Sequence, residues 1–97
     1  MRYEILFAPE AVQDFDRLSA RDRSIVRDAI EGHLRHEPEK VSKSRIKQLR
    51  SLSQPQYRLR IGEIRVFYDV VGQTVEVLAI VHKSQAAAWL EEMGVQE

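Results

Sequence analysis

The stretch 57-YRLRIGEIRVFY-68 decides how the rest of the chain is read. Tyr57, Leu59 and Ile61 alternate with Arg58 and Arg60, the two-residue period of a half-buried strand. After Gly62-Glu63 the same alternation resumes, with Ile64, Val66 and Tyr68 set against Arg65 and Phe67. A two-residue gap with glycine first suits a type II′ hairpin turn, which matches the twist of the flanking strands. That turn fixes the register. Ile61 faces Ile64, Arg60 faces Arg65, Leu59 faces Val66, Arg58 faces Phe67 and Tyr57 faces Tyr68. Like charges directly opposed across a ladder cost up to about 1 kcal/mol. A partner of opposite charge for Arg58, Arg60 and Arg65 is therefore expected.

The next turn, 71-VGQT-74, repeats the pattern and adds a third strand. Continuing the pairing without interruption sets Tyr68 opposite Val77, Val66 opposite Ala79, Arg65 opposite Ile80 and Glu63 opposite His82. One face is then Tyr57, Leu59, Ile61, Ile64, Val66, Tyr68, Val75, Val77, Ala79 and Val81, a surface for a core. The other carries Arg58, Arg60, Arg65 and His82 around a floor of Phe67, Leu78 and Ile80.

Working outward, Tyr3, Ile5 and Phe7 alternate with Arg2 and Glu4 as a first strand, and Pro9 suits the first turn of a helix. Ala11, Val12, Phe15 and Leu18 line one face of that helix. Ser19 is placed to cap a second, with Asp22 three residues on. Its apolar stripe runs through Ile25, Val26, Ala29, Ile30, His33 and Leu34, and Pro38 is expected to end it. The short joint predicts an antiparallel helical hairpin. His33 continues the apolar stripe and is read as a packing residue. Residues 38–56 are polar, basic and weakly periodic, too long for an inert connection in so small a domain, and are expected to form a binding loop. A last helix is expected from Ser84 as N-cap, through 85-QAAAWLEEM-93, to a stop at Gly94. The expected fold is α+β over a single domain, residues 1–97. It comprises an N-terminal strand, a helical hairpin, a three-stranded antiparallel meander joined with the first strand into one sheet, and a C-terminal helix.

Composition narrows the function. The 97 residues contain no cysteine, so neither a disulfide nor a thiolate metal site supports the core. No span is apolar enough to cross a bilayer and the start resembles no signal peptide, so a soluble cytoplasmic protein is expected. The three histidines lack the acidic spacing of a ligand set, and no metal or cofactor is expected. The formal net charge of zero conceals segregation: residues 40–65 hold eight basic side chains (Lys40, Lys43, Arg45, Lys47, Arg50, Arg58, Arg60, Arg65) against Glu63 alone. Such a block suits a polyanion, although a solvated basic surface has the same composition. Guanidinium forks match phosphate oxygens, while carboxylates from elsewhere in the chain are the other available partners.

The element order, the basic segment containing 47-KQLRSL-52, then 57-YRLRIGEIRVFYDV-70 and 75-VEVLAIVHKS-84 resemble the RelE/ParE toxin family of bacterial toxin–antitoxin systems. The resemblance covers essentially the whole chain. RelE-type members cut mRNA on the ribosome and ParE-type members poison DNA gyrase. Both are neutralised by a cognate antitoxin, which implies a hetero-oligomer. The resemblance implies that Arg58 and Arg60 stand where RelE-type enzymes carry paired basic residues. Arg65 matches their strand arginine, and Lys83 lies about where an arginine follows the last core strand. Trp89 aligns roughly with a substrate-stacking tyrosine, while its place in an Ala-rich helix also suits an anchor docking that helix on the sheet. Arginines at 58 and 60 are poor general bases, so for proton transfer the candidates are His82, Lys83 and Glu63. His82 equally suits a strand-end residue that hydrogen-bonds the backbone. Lys40, Lys43, Arg45, Lys47 and Arg50 are expected to contact RNA or the ribosome. Three activities follow as expectations: metal-independent cleavage of ribosome-bound mRNA through 2′-hydroxyl attack, gyrase inhibition, or a member acting mainly through antitoxin binding and autoregulation.

Overall fold

The computed structural model describes residues 2–96. Strand β1 (Glu4–Phe7) leads into α1 (Pro9–Asp16) and α2 (Ala20–Leu34). Then come β2 (Ile46–Gln48), β3 (Leu52–Gln54), β4 (Tyr57–Ile61), β5 (Ile64–Val71), β6 (Thr74–His82), α3 (Lys83–Met93) and β7 (Val95–Gln96). The main sheet has the order β1-β6-β5-β4-β2, with β1 parallel to β6 and the other pairs antiparallel. This is the expected α+β architecture with more strand than foreseen. Within 38–56, the expected irregular loop, β2 extends the sheet edge against β4 and β3 pairs with β7 as a separate two-stranded ribbon.

The helical pair forms for the reasons the sequence suggests. Pro9 occupies the first turn of α1, where its missing N–H costs nothing. The Ser19 hydroxyl accepts from the Asp22 amide at 3.1 Å as N-cap of α2. Ala11 from α1 and Val26, Ile30 and Leu34 from α2 bury against Leu59, Val66, Tyr68, Val75 and Val77 of the sheet. Tyr68 stacks on Tyr57, centroids 5.4 Å apart, and its hydroxyl donates to the Pro38 carbonyl, tying the loop after α2 to the core. The buried Asp69 carboxylate accepts from Gln54 Nε2 and the Gln56 amide, each at 2.8 Å, and so holds the β3–β4 connection against β5.

Both hairpin turns carry glycine at positive φ, 57° at Gly62 and 59° at Gly72, with no positive φ at any other described residue. The β4–β5 register is the predicted one throughout. The β5–β6 ladder agrees only from the turn to Tyr68↔Val77. Beyond it Phe67 pairs with Ala79, Val66 with Ile80, Arg65 with Val81 and Ile64 with His82. Leu78 is an extra residue in β6, a bulge that reverses the facing of everything after it. Ile80 therefore joins the core beside Val66, while Ala79 and Val81 cross to the arginine side. His82, expected opposite Glu63 on the arginine face, stands opposite core-facing Ile64. The floor expected from Phe67, Leu78 and Ile80 is instead Phe67, Ala79 and Val81.

Candidate nucleic-acid interface

The sheet face opposite the helical pair is built strand by strand. On β4, Arg58 and Arg60 point away from the core that Tyr57, Leu59 and Ile61 enter. Arg65 of β5 stands opposite Arg60, and Lys47 of β2 stands opposite Arg58. Directly opposed residues have Cβ atoms about 4.5–5.5 Å apart, so four cationic side chains occupy one patch. Burial, then the charges of Arg65 and Arg60, draws Arg58 below the ordinary guanidinium value. Its Nε is buried without a hydrogen-bond partner. Arg65 Nη1 donates to the carbonyls of Gly62 at 2.7 Å and Ile64 at 3.0 Å, which folds the guanidinium back over the hairpin turn. Among the described residues none of the three arginines forms an ion pair with a carboxylate. The alternative partner considered from sequence, an internal acid, is thus not supplied to them.

Lys83 differs. Its Nζ lies 2.7 Å from Glu63 and its amide donates to the Glu63 carbonyl, also at 2.7 Å. The Lys83 ammonium in turn holds the Glu63 carboxyl below its ordinary value, through a hydrogen bond first and charge second. His82 is exposed at the end of β6 and is itself the N-cap of α3: Nδ1 accepts from the Ser84 amide at 3.1 Å. This corrects the expectation of a Ser84 cap. The Ser84 hydroxyl instead lies 2.8 Å from the same nitrogen. With Nδ1 accepting, a neutral imidazole carries its proton on Nε2.

Trp89 stacks on Phe67 with centroids 4.9 Å apart and an interplanar angle of 4°. Its Nε1 is buried without a partner. The ring is the anchor of α3, a helix in which no residue is fully buried. Gly94 ends that helix, and a Cβ there would strike the Leu90 carbonyl.

The remaining basic residues do not gather into one patch. Arg45 Nη1 donates to the Arg60 carbonyl at 3.2 Å, and the side chain wraps the sheet edge toward His33 and Lys40, around a cavity of about 250 Å³. Lys40 pairs with Glu37 at 3.6 Å, and Lys43 is exposed on the connection before β2. Arg50 lines a groove shared with Lys47. Lys47 reaches the arginine face only because Ile46 faces the core and β2 pairs with β4, an alternation too short to read from three residues. Among the described residues no three of His, Asp or Glu gather as metal ligands. No helix is long and apolar enough to cross a membrane.

A helical pair on one sheet face and a cationic patch on the other define a small α+β protein of the RelE-like class, and comparison with known proteins agrees. The profile of the ParE toxin of type II toxin–antitoxin systems, parDE, matches residues 5–87. The chain belongs to this family and is a toxin of a type II toxin–antitoxin system with the RelE/ParE/YoeB fold. It is similar to a chain of the RelBE2 toxin–antitoxin complex from Mycobacterium tuberculosis, with 27% identity, a TM-score of 0.72 and coverage of 84% of this chain and 99% of that one. A chain of the RelE–RelB complex from Pyrococcus horikoshii OT3 matches at 22% identity and a TM-score of 0.65, covering 88% and 99%. The YoeB dimer from Staphylococcus aureus matches at 19% and 0.60, covering 81% and 94%. These last two speak for the fold alone. No curated protein matches the chain.

Proposed function

We propose that this toxin is a ribosome-dependent endoribonuclease that cuts mRNA by attack of a 2′-hydroxyl on the adjacent phosphorus. The observation that carries the reading is the Arg60–Arg65 pair, opposed across the ladder with Arg58 alongside and, among the described residues, no ion pair from any of the three to a carboxylate. In the reaction the 2′-oxygen bonds to phosphorus, charge builds on the phosphoryl oxygens, and the bond to the 5′-oxygen breaks. Guanidinium groups on the face where that charge develops stabilise it, and one such donor contributes about 10²–10³ in rate. Arg60 and Arg65 hold the phosphoryl oxygens, and Arg58 and Lys47 hold the flanking phosphate. A solvent water protonates the departing 5′-oxygen. Glu63 accepts the 2′-hydroxyl proton. Lys83 keeps Glu63 ionised and makes it a weak base, so charge stabilisation supplies most of the acceleration. The products are a 2′,3′-cyclic phosphate and a 5′-hydroxyl.

The partner in this reading is a cognate antitoxin, in keeping with the solved relatives that are toxin–antitoxin complexes. The test is to add the purified chain to translating ribosomes and map mRNA 5′ ends. Cuts within the decoding codon that weaken about 100-fold in Arg60→Gln and Arg65→Gln are expected. The second reading, gyrase poisoning, is favoured by one observation, that the matching profile is that of the ParE toxin. Accumulated gyrase–DNA breaks with intact mRNA would replace the first reading by the second.

A further inference from the structure

A second basic site lies where α2 ends and β2 begins. The cavity of about 250 Å³ there is walled by His33 at the end of α2, Lys40 and Ser42 on the connection, and Arg45 on the approach to β2, with Glu37 as its acid. We propose that this cavity binds a phosphate group, either free inorganic phosphate or the terminal phosphoryl of a small ester. The site is separate from the arginine face and does not depend on the proposed cleavage.

Donors outnumber acceptors in this cavity. Ser42 Oγ accepts the Arg45 amide at 3.1 Å and the Ile46 amide at 3.2 Å. With both lone pairs taken, its O–H is left to donate, and among the described residues nothing accepts it. Arg45 commits Nη1 to the Arg60 carbonyl at 3.2 Å and, among the described residues, forms no ion pair. The half-buried His33 imidazole makes no hydrogen bond to a described residue. Glu37 pairs with Lys40 at 3.6 Å and so leaves Arg45 without a counter-charge. Burial first, then the Arg45 charge, disfavours the protonated ring of His33. An anion bound to both groups reverses that relation.

The frame is set before any ligand arrives. The Ser42 amide donates to the Ile46 carbonyl at 2.9 Å and the Lys40 amide to the Glu37 carbonyl at 3.3 Å, which limits the ordering cost of binding. Hydroxyl, guanidinium, imidazole and ammonium reach the cavity from four positions, a better match to a tetrahedral anion than to the two oxygens of a carboxylate. Pockets that enclose drug-sized ligands have about 300–1,000 Å³. This smaller cavity therefore takes a phosphoryl end and leaves the rest of an ester outside. No Phe, Tyr or Trp lines it for base stacking, which argues against a nucleic-acid strand.

The probe is inorganic phosphate, titrated into the purified chain at constant ionic strength with chloride as control. The reporter is the His33 imidazole, followed by NMR through its pH titration. Phosphate is expected to raise the His33 pKa, and chloride is not. Arg45→Gln is expected to weaken phosphate binding about tenfold or more, the contribution of one charge-assisted donor. Arg45→Lys and Ser42→Ala are expected to lose less. Adenosine 5′-monophosphate identifies the source: tighter binding than phosphate at the same reporter assigns an ester's phosphoryl end, and equal or weaker binding assigns the free ion. Arg65→Gln is expected to leave the His33 response in place. The proposal is overturned if phosphate and chloride move His33 alike. It is also overturned if Arg45→Gln and Ser42→Ala, folded by circular dichroism, bind phosphate as the wild type does. Loss of the response in Arg65→Gln would overturn it too, because the ion then belongs to the arginine face.

Discussion

Trp89 lies flat on Phe67, its ring 4.9 Å from the phenyl and within 4° of parallel. This contact, with the β3–β7 ribbon that follows, attaches an otherwise shallow helix to the sheet. Trp89→Ala is expected to cost about 3 kcal/mol, the low end for a large aromatic because the residue is only partly buried. Trp89→Phe is expected to recover most of it. Urea unfolding checks both. Unchanged stability with lost cleavage would instead make Trp89 a substrate-stacking residue.

Arg60 and Arg65 stand directly opposed across the β4–β5 ladder, a like-charge pairing that does not favour the strand pair. Arg60→Gln is therefore expected to leave stability unchanged or raise it by up to about 1 kcal/mol, while lowering cleavage about 100-fold. Parallel melts and ribosome assays test the opposite signs. A merely structural arginine would lose both together.

His82 has a capping task that can be separated from chemistry. His82→Ala is expected to cost about 1 kcal/mol through loss of the α3 N-cap, and His82→Asn to restore it. Both are expected to leave cleavage unchanged, because His82 stands opposite Ile64 and away from the arginines. A loss of cleavage in the asparagine variant would return the imidazole to the chemistry.

Glu63 is the acid beside this cationic surface, and its pair with Lys83 is exposed. Such pairs contribute about 0–1 kcal/mol. Glu63→Gln is expected to change stability little and to tighten oligoribonucleotide binding several-fold at low salt, because Lys83 is released. If Glu63 is the base, the same variant binds better and cuts more slowly, a divergence that binding and single-turnover assays resolve.

His33 supplies a pH dependence. Burial first, then the Arg45 charge, holds its imidazole below the ordinary 6.5. The folded chain thus binds this proton less tightly than the unfolded chain does, so stability is full above about pH 6.5 and falls as pH drops through the folded value. Melting temperature is expected to decline between pH 7.5 and 5.5, and less steeply in His33→Leu and Arg45→Gln. An identical decline in both variants would refute the assignment.

The β4–β5 register and its opposed arginines were legible because Gly62 set a two-residue turn and the polar–apolar alternation was clean on both sides. The β6 register was not. From Val77 to Val81 every residue is apolar, so no alternation marks where the facing changes. The ribbon of β3 with β7 was hidden for a different reason. It depends on Leu52 and Val95, far apart in sequence, and on Asp69 gathering Gln54 and Gln56, contacts that propensity does not encode. His33, read as a packing residue from its place in the α2 stripe, is half-buried and lines the cavity beside Arg45. The α3 cap was misread because serine is the commoner capping residue and imidazole an unusual one. Of the site, the strand arginines were visible from alternation, whereas the place of Lys47 among them followed only from the unforeseen edge strand.

The surplus residue at Leu78 works as a phase shifter within one strand. Upstream of it the β6 side chains keep the rhythm set by the second turn, and downstream they keep the opposite one, with Ile80 delivered to the interior and small Ala79 left beside Phe67. Deleting a single residue there would turn the last third of the strand inside out.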